Sequence, residues 1–171
     1  MDKESFSEVG FYGKLCENAM LVYSRQEWDE HIVKVVSGIN MLDPVNLMLL
    51  SLGIAHDLVE DYKEKGMKCI DDSFSFFSLS PQAKYDKVDF CQRVLLLTRD
   101  SNEGYFDYIN RIVKSKDESA LIVKLCDLEA NIARATEDGS RLQKYLFAHE
   151  KIWVALKEIE RKKRIKEIQK V

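Results

Sequence analysis

Six consecutive residues, His56-Asp57-Leu58-Val59-Glu60-Asp61, concentrate imidazole and carboxylate groups at the end of an apolar stretch that starts at Pro44. Read as one helix from Pro44 to about Asp61, the segment is apolar almost all round as far as Ala55, the pattern of a central buried helix. Carboxylates at its end break local rules. Asp57, Glu60 and Asp61 would oppose the helix dipole, at about 0.3–1 kcal/mol each. Asp57 and Asp61 also form a like-charged i,i+4 pair. Buried carboxylates without partners are costly, so this clustering points to a functional site with a compensating cation. A metal ion is the simplest such cation. His56 and Asp57 lie about 100° apart around a helix and reach one ion at its edge. Glu60 stands one turn above His56, and Asp61 one turn above Asp57. The lower pair is placed to coordinate; the upper pair is placed to orient or deprotonate a water, or to protonate a leaving group.

Two ligands do not hold an ion tightly, so others must come from elsewhere in the chain. The histidines are His31, His56 and His149. His31 lies on the preceding helix, and an antiparallel pairing around Asp43-Pro44 would bring it to His56. Asp127 is the other candidate. Its helix has a core stripe of Leu121, Leu125, Leu128 and Ile132, beside a polar line of Lys124, Asp127, Asn131 and Arg134. That line offers a carboxylate ligand, an amide and two cations for phosphate. Each element taken singly has a plainer reading: His31 as a structural core histidine, the polar line as a solvated helix face. His149 matches no motif. Phe74, Phe76 and Phe77 read as core side chains rather than a lid over a base, and Trp28 and Trp153 as core also. The Lys162-Lys163-Arg164-Lys166 run reads as a solvated helix end that suits the dipole.

The elements that must position these residues are helices. Seven glycines and two prolines in 171 residues are too few for the turns of a β or α/β fold, so the expected fold class is all-α. The first helix is expected over Ser5–Tyr23, with Phe6 and Val9 on its apolar side. A second begins near Gln26, and Asp43-Pro44 ends it, with Pro44 in the first turn of the next. Tyr62–Gln82 reads as a loop with a short helix. Further helices are expected from Ser80-Pro81 to Thr98, over Tyr105–Lys114, over Glu118–Thr136 and, after Gly139 as separator, from Arg141 towards Lys170. At 46% apolar and 32% charged the composition is that of a folded globular chain. Residues 1–171 are expected to form a single domain, which buries about 70% of its unfolded surface and needs no metal or disulfide to fold. A net charge of −3 excludes binding to nucleic acid by bulk electrostatics, so no DNA or RNA partner is expected. The four cysteines form no C-x-x-C pair and read as reduced thiols. With no leader pattern at the N-terminus and no apolar run near the ~20 residues of a membrane span, a cytoplasmic protein without membrane contact is expected.

The order His31, then His56-Asp57-x-x-Glu60-Asp61, then Lys124-Leu125-x-Asp127-x-x-x-Asn131 resembles the HD superfamily of metal-dependent phosphohydrolases. Within it, the chain is most similar to the hydrolase domain of the RelA/SpoT alarmone enzymes and to the small alarmone hydrolases. The resemblance covers roughly residues 20–160, and the segment Tyr105–Ile112 shares it. It implies an HD-type helical bundle holding one divalent ion, typically Mn2+, through His31, His56, Asp57 and Asp127. It further implies that Glu60 and Asp61 position the attacking water and that Asn131 contacts a bound nucleotide. Lys124, Arg134 and Arg25 are the expected phosphate-neutralising residues. The implied reaction is hydrolysis of a nucleotide phosphate ester, in the best-known case removal of the 3′-pyrophosphate from guanosine 3′,5′-bis(diphosphate). Tyr62 and Arg134 stand where the family often has threonine, and Arg25 is the nearest candidate for its Arg-Lys pair. These departures touch substrate rather than metal. The alternatives are another HD nucleotidase or phosphodiesterase, which as a rule lacks the Glu-Asp pair, or a non-catalytic nucleotide-binding helical module.

Overall fold

With so few glycines and prolines, helices here start mainly at a capping side chain and stop in irregular turns. The computed structural model describes residues 4–5, 7–78, 80–135 and 139–170. Helix α1 (Glu8–Met20) starts at Ser7, whose side chain accepts the Gly10 N–H. One turn, α2 (Arg25–Glu27), is capped by Ser24 and runs into a π-helical turn over Trp28–Ile32 and then into α3 (Val33–Leu42). Asn46 caps α4 (Leu47–Ala55), followed by α5 (Leu58–Ser75). Ser80 caps α6 (Pro81–Leu97), with Pro81 in its first turn. Then come α7 (Tyr105–Ser115), α8 (Glu118–Arg134), capped by Asp117, and α9 (Gly139–Ile168). A two-residue parallel ladder pairs β1 (Glu4–Ser5) with β2 (Phe77–Ser78). The result is an all-α, single-domain bundle.

Helix α4 is its axis. Every residue from Leu49 to Ala55 is buried, and α1, α3, α5, α6 and α8 all pack on it. Helix α8 in turn packs between α3 and α9. A Cβ on Gly38 of α3 would lie 3.2 Å from the Cys126 sulfur, so α3 and α8 approach closely beside Asp127. No helix among the described residues is long and apolar enough to cross a membrane.

Several expected boundaries move. The helix from Pro44 to Asp61 is two helices, because α4 stops at Ala55 and His56-Asp57 form a turn before α5. Glu60 and Asp61 therefore sit in the first turn of a helix, where negative charge is favoured, and the dipole argument drawn from the sequence has the wrong sign. Pro44 lies in the connecting turn, not in the first turn of α4. The expected loop after Tyr62 is helical to Ser75. Gly139 opens α9 instead of separating it from its neighbour. Phe74 and Phe77 are buried and Phe76 packs against the core, as does Trp28. Trp153, expected inside, is 46% exposed, with the Lys157 ammonium 4.4 Å above its ring. Val9 also faces outward. Phe6 and Thr136 lie outside the described residues.

Helix α5 is itself broken. Lys63 has φ 49° and ψ −120°, a conformation that costs a residue with a side chain about 1–3 kcal/mol. The chain folds back there so tightly that a Cβ on Gly66 would stand 1.8 Å from the Leu58 carbonyl oxygen. Glu60 and Asp61 thus occupy one helical turn between two breaks. Gly66→Ala is expected to lower stability by about 3 kcal/mol or more, a fall in Tm of roughly 10 °C for a domain of this size. Gly13→Ala, in a helix interior with nothing within 4 Å of the added Cβ, is expected to stabilise by about 0.5–1 kcal/mol. Thermal unfolding of the two variants checks both signs.

Candidate metal centre

Three separate elements bring imidazole and carboxylate groups to one point. His31 comes from the π-helical turn, a geometry that recurs at functional sites because it re-aims side chains. His56 and Asp57 come from the α4–α5 turn, where Asp57 has φ −100° and ψ −7°, in the sparsely populated bridge region common at active sites. Asp127 comes from the buried face of α8. One ligand atom from each of the four lies within 4.8 Å of the others. The His31 and His56 Nε2 atoms are 3.3 Å apart. Asp57 Oδ2 is 3.2 Å from His31 Nε2 and 3.1 Å from His56 Nε2. Asp127 Oδ1 is 3.2 Å from the first nitrogen and 3.7 Å from the second.

The surroundings orient these groups. His56 Nδ1 is 2.7 Å from the Gly53 carbonyl oxygen, so Nδ1–H donates there and Nε2 faces inward. His31 Nδ1 is buried and has no hydrogen-bond partner among the described residues. Asp127 accepts from Lys124 Nζ at 2.6 Å on Oδ2 and from Asn131 Nδ2 at 2.6 Å on Oδ1. Arg134 donates to Asn131 Oδ1 at 2.6 Å. The polar line read from the sequence is therefore a hydrogen-bonded chain, and its Lys124 and Asp127 are buried rather than solvated.

Without a metal, protons have to balance this cluster. Burial alone would depress the His56 ring, but the Asp57 charge and hydrogen bonds to Asp127 and Asp57 push it up to about 10. Burial likewise acts to raise the Asp57 carboxyl; the His56 charge and hydrogen bonds from both histidines hold it well below the usual range. Asp127 is lowered too, against its burial, chiefly by the Lys124 charge. Two imidazole nitrogens beside two carboxylate oxygens form a group that could hold a metal ion, and no thiolate belongs to it.

The cluster opens into a cleft of about 310 Å³. Glu60 and Asp61 line it, as do Lys124, Asn131 and Arg134. Glu60 accepts the Arg99 backbone N–H at 2.9 Å and faces the Arg99 guanidinium at 3.7 Å. Asp61 is pushed up to about 6 by desolvation and then by the charges of Asp57, Glu27 and Glu60. Tyr62 ties this turn to α2 through a short hydrogen bond from its hydroxyl to Glu27, a task threonine is too short to do. Arg25 does not join the site: its side chain is 95% exposed and faces Asp29, outside the cleft. His149 faces Glu129 and is also outside.

The sequence reading missed Arg99, Lys144 and Tyr145, which line the cleft. Arg99 follows α6 in a loop held by Arg111, whose guanidinium donates to the Leu96 and Thr98 carbonyls and to Glu103. Nothing in the spacing of Arg99 marks it out; only the fold carries it to Glu60. Lys144 lies 4.4 Å from the centre of the Tyr105 ring. Its ammonium is lowered, first by burial and then by the nearby Arg99, Arg141 and Lys124 charges, so this wall of the cleft holds more positive charge than its own carboxylates offset.

Metal binding is expected to release protons. The His56 pKa rises from an ordinary 6.5 to about 10, so at pH 7 the metal-free site carries a proton that an incoming cation must displace. Mn2+ affinity should therefore rise with pH from 6 to 8, by up to about tenfold per unit for each proton released. Calorimetric titration in buffers of different ionisation enthalpy reads that proton directly, and a pH-independent affinity with no proton release would contradict the assignment. No family model, curated protein or solved structure matches the chain.

Proposed function

We propose that the chain is a divalent-metal-dependent phosphohydrolase of the HD type, acting on a phosphate ester of a nucleotide. One observation carries this reading: His31, His56, Asp57 and Asp127 converge from three separated stretches at a cleft also lined by Arg99, Lys124, Arg134 and Lys144. The two-nitrogen, two-oxygen donor set suits a hard-to-borderline ion, with Mn2+ the first choice. When bound, such an ion polarises a phosphoryl oxygen and acidifies water.

The chain's own residues have separable tasks in this reading. Lys124 and Asn131 fix the Asp127 carboxylate, and Lys124 also offsets its charge. Arg99, Arg134 and Lys144 supply positive charge for phosphate oxygens. Glu60 and Asp61 handle protons at the open side of the cluster. With its carboxyl at about 6, Asp61 is suited to take up a proton near neutral pH. The resemblance makes guanosine 3′,5′-bis(diphosphate) the first substrate to test. The departures at Tyr62 and Arg134 make a wider panel necessary, and that panel also separates a nucleotidase, a cyclic-nucleotide phosphodiesterase and a module that binds without turnover.

Substrate loss and nucleotide products from the panel, followed by ion-exchange chromatography with and without Mn2+, are expected to depend on the metal. Asp57→Ala should lose bound metal and activity together. Glu60→Ala should keep the metal and lose turnover by about 10²-fold or more. The rate should fall as pH drops and Asp61 becomes protonated, with an apparent pKa at or below about 6 because a bound cation favours the carboxylate. Asp61→Asn should abolish that limb. Turnover without metal, or normal turnover in Glu60→Ala, would overturn the proposal.

A further inference from the structure

A second cavity, about 580 Å³, lies between the end of α7 and the outer face of α9, and its chemistry is unlike that of the cleft. Its floor is apolar: Val113 from α7 with Phe147, Val154 and Ile159 from α9. Phe147 is 47% exposed and Val154 is 50% exposed. These α9 residues fall on one stripe from Phe147 to Lys162, a length of about 22 Å at 1.5 Å per residue. It borders the stripe α9 uses to hold the domain together, which runs through Ala148, Ile152 and Leu156 and against which Ile159 also packs. An amphipathic helix normally buries one apolar stripe; here Phe147 and Val154 keep about half their surface exposed outside it, with the Phe106 ring edge-on to Phe147 and the Lys151 ammonium 5.1 Å from the centre of its ring.

The rim supplies the charge. Lys114 and Lys116 close the α7 side and Lys162 closes the far end. Around it, residues 157–170 hold seven Lys/Arg, Lys162 among them, against three Glu, a surplus of four positive charges in a chain whose net charge is −3. Two copies of this face brought together would set one basic rim against another, which disfavours a symmetric dimer through it. A flat membrane would fill the concavity poorly; Glu150 and Glu158 also line it, but four lysines, Lys114, Lys116, Lys151 and Lys162, outnumber them, so an occupant with anionic flanks is favoured on balance. A single helix is the shape that fits a groove of this length.

We infer that the α7–α9 groove is a docking site for an amphipathic helix of a partner protein, apolar on the side that enters and acidic on the flanks that meet Lys114, Lys116 and Lys162. It is separate from the candidate metal centre, with which it shares no lining residue, and it stands whether or not the chain is a hydrolase.

The test uses the full chain and two synthetic helical peptides of about 16 residues, the length of the stripe. Both carry leucines at i, i+3, i+4 and i+7. One has glutamate on both flanks and the other has lysine. By fluorescence anisotropy the glutamate peptide should bind saturably and the lysine peptide at least tenfold more weakly. Binding should weaken as salt rises. Val154→Asp, at an exposed position, should cost at least tenfold in affinity without changing Tm. The double variant Lys114→Glu/Lys116→Glu should shift preference towards the lysine peptide, an outcome that loss of folding cannot mimic. Equal binding of the two peptides, unchanged binding by Val154→Asp, or no binding of the glutamate peptide would overturn the inference. So would a dimer that Val154→Asp dissociates, or groove-dependent binding to phosphatidylserine vesicles in place of the peptide.

Discussion

Two carboxylates and two imidazoles held within 4.8 Å of one another, three of them buried, are a charge arrangement that is not stable by itself. Carboxylates so placed repel, and removing them from water costs more than their mutual geometry returns. In the metal-free state the cost is met by the proton on His56 and by the Lys124 ammonium. A divalent cation would meet it with less reorganisation, because both Nε2 atoms already face inward. The rest of the fold can be understood as what is required to keep these four groups from separating.

That requirement explains features with no other evident purpose. Helix α4 is buried on every side, so the turn after Ala55 cannot shift without disturbing five neighbouring helices. The π-helical turn carries His31 inward immediately before α3 begins. The close approach of α3 to α8 at Gly38 and Cys126 brings Asp127 against it. Beyond the turn, the break at Lys63 isolates Glu60 and Asp61 on a single helical turn. That turn is pinned by Tyr62 to α2 and by Glu60 to the loop of Arg99. Strain at Lys63 and a lysine buried beside an aspartate are tolerated together because the surrounding helices over-determine both.

The fold class and the His56-Asp57 pair were legible in the sequence because each leaves a local mark, whereas His31 and Asp127, which singly read as structural or solvated, were joined to them by the order of motifs in the family resemblance. Scarce turn residues exclude extended sheets, and the imidazole-carboxylate cluster at residues 56–61 stands out at the end of an apolar helix. The α4–α5 junction was not legible. His56-Asp57 carries no proline or glycine to announce a break, so the stretch reads as one helix and the sign of the dipole argument is lost. The kink at Lys63 is also unmarked, since a lysine at positive φ is there only because tertiary packing imposes it. Arg25 was placed near the site by register alone, and the side chain points to solvent. Arg99, Lys144 and Tyr145 could not be found, because residues far from every motif become neighbours of the cleft only when α6 and α9 are laid beside it.

The central claim is that one cation belongs at the meeting point of these three elements. Anomalous diffraction at the manganese edge from crystals grown with Mn2+ tests it most directly. The account predicts one strong peak within coordination distance of His31 Nε2, His56 Nε2 and a carboxylate oxygen from each of Asp57 and Asp127. The absence of that peak at saturating Mn2+, or a peak elsewhere with those side chains turned apart, would contradict it.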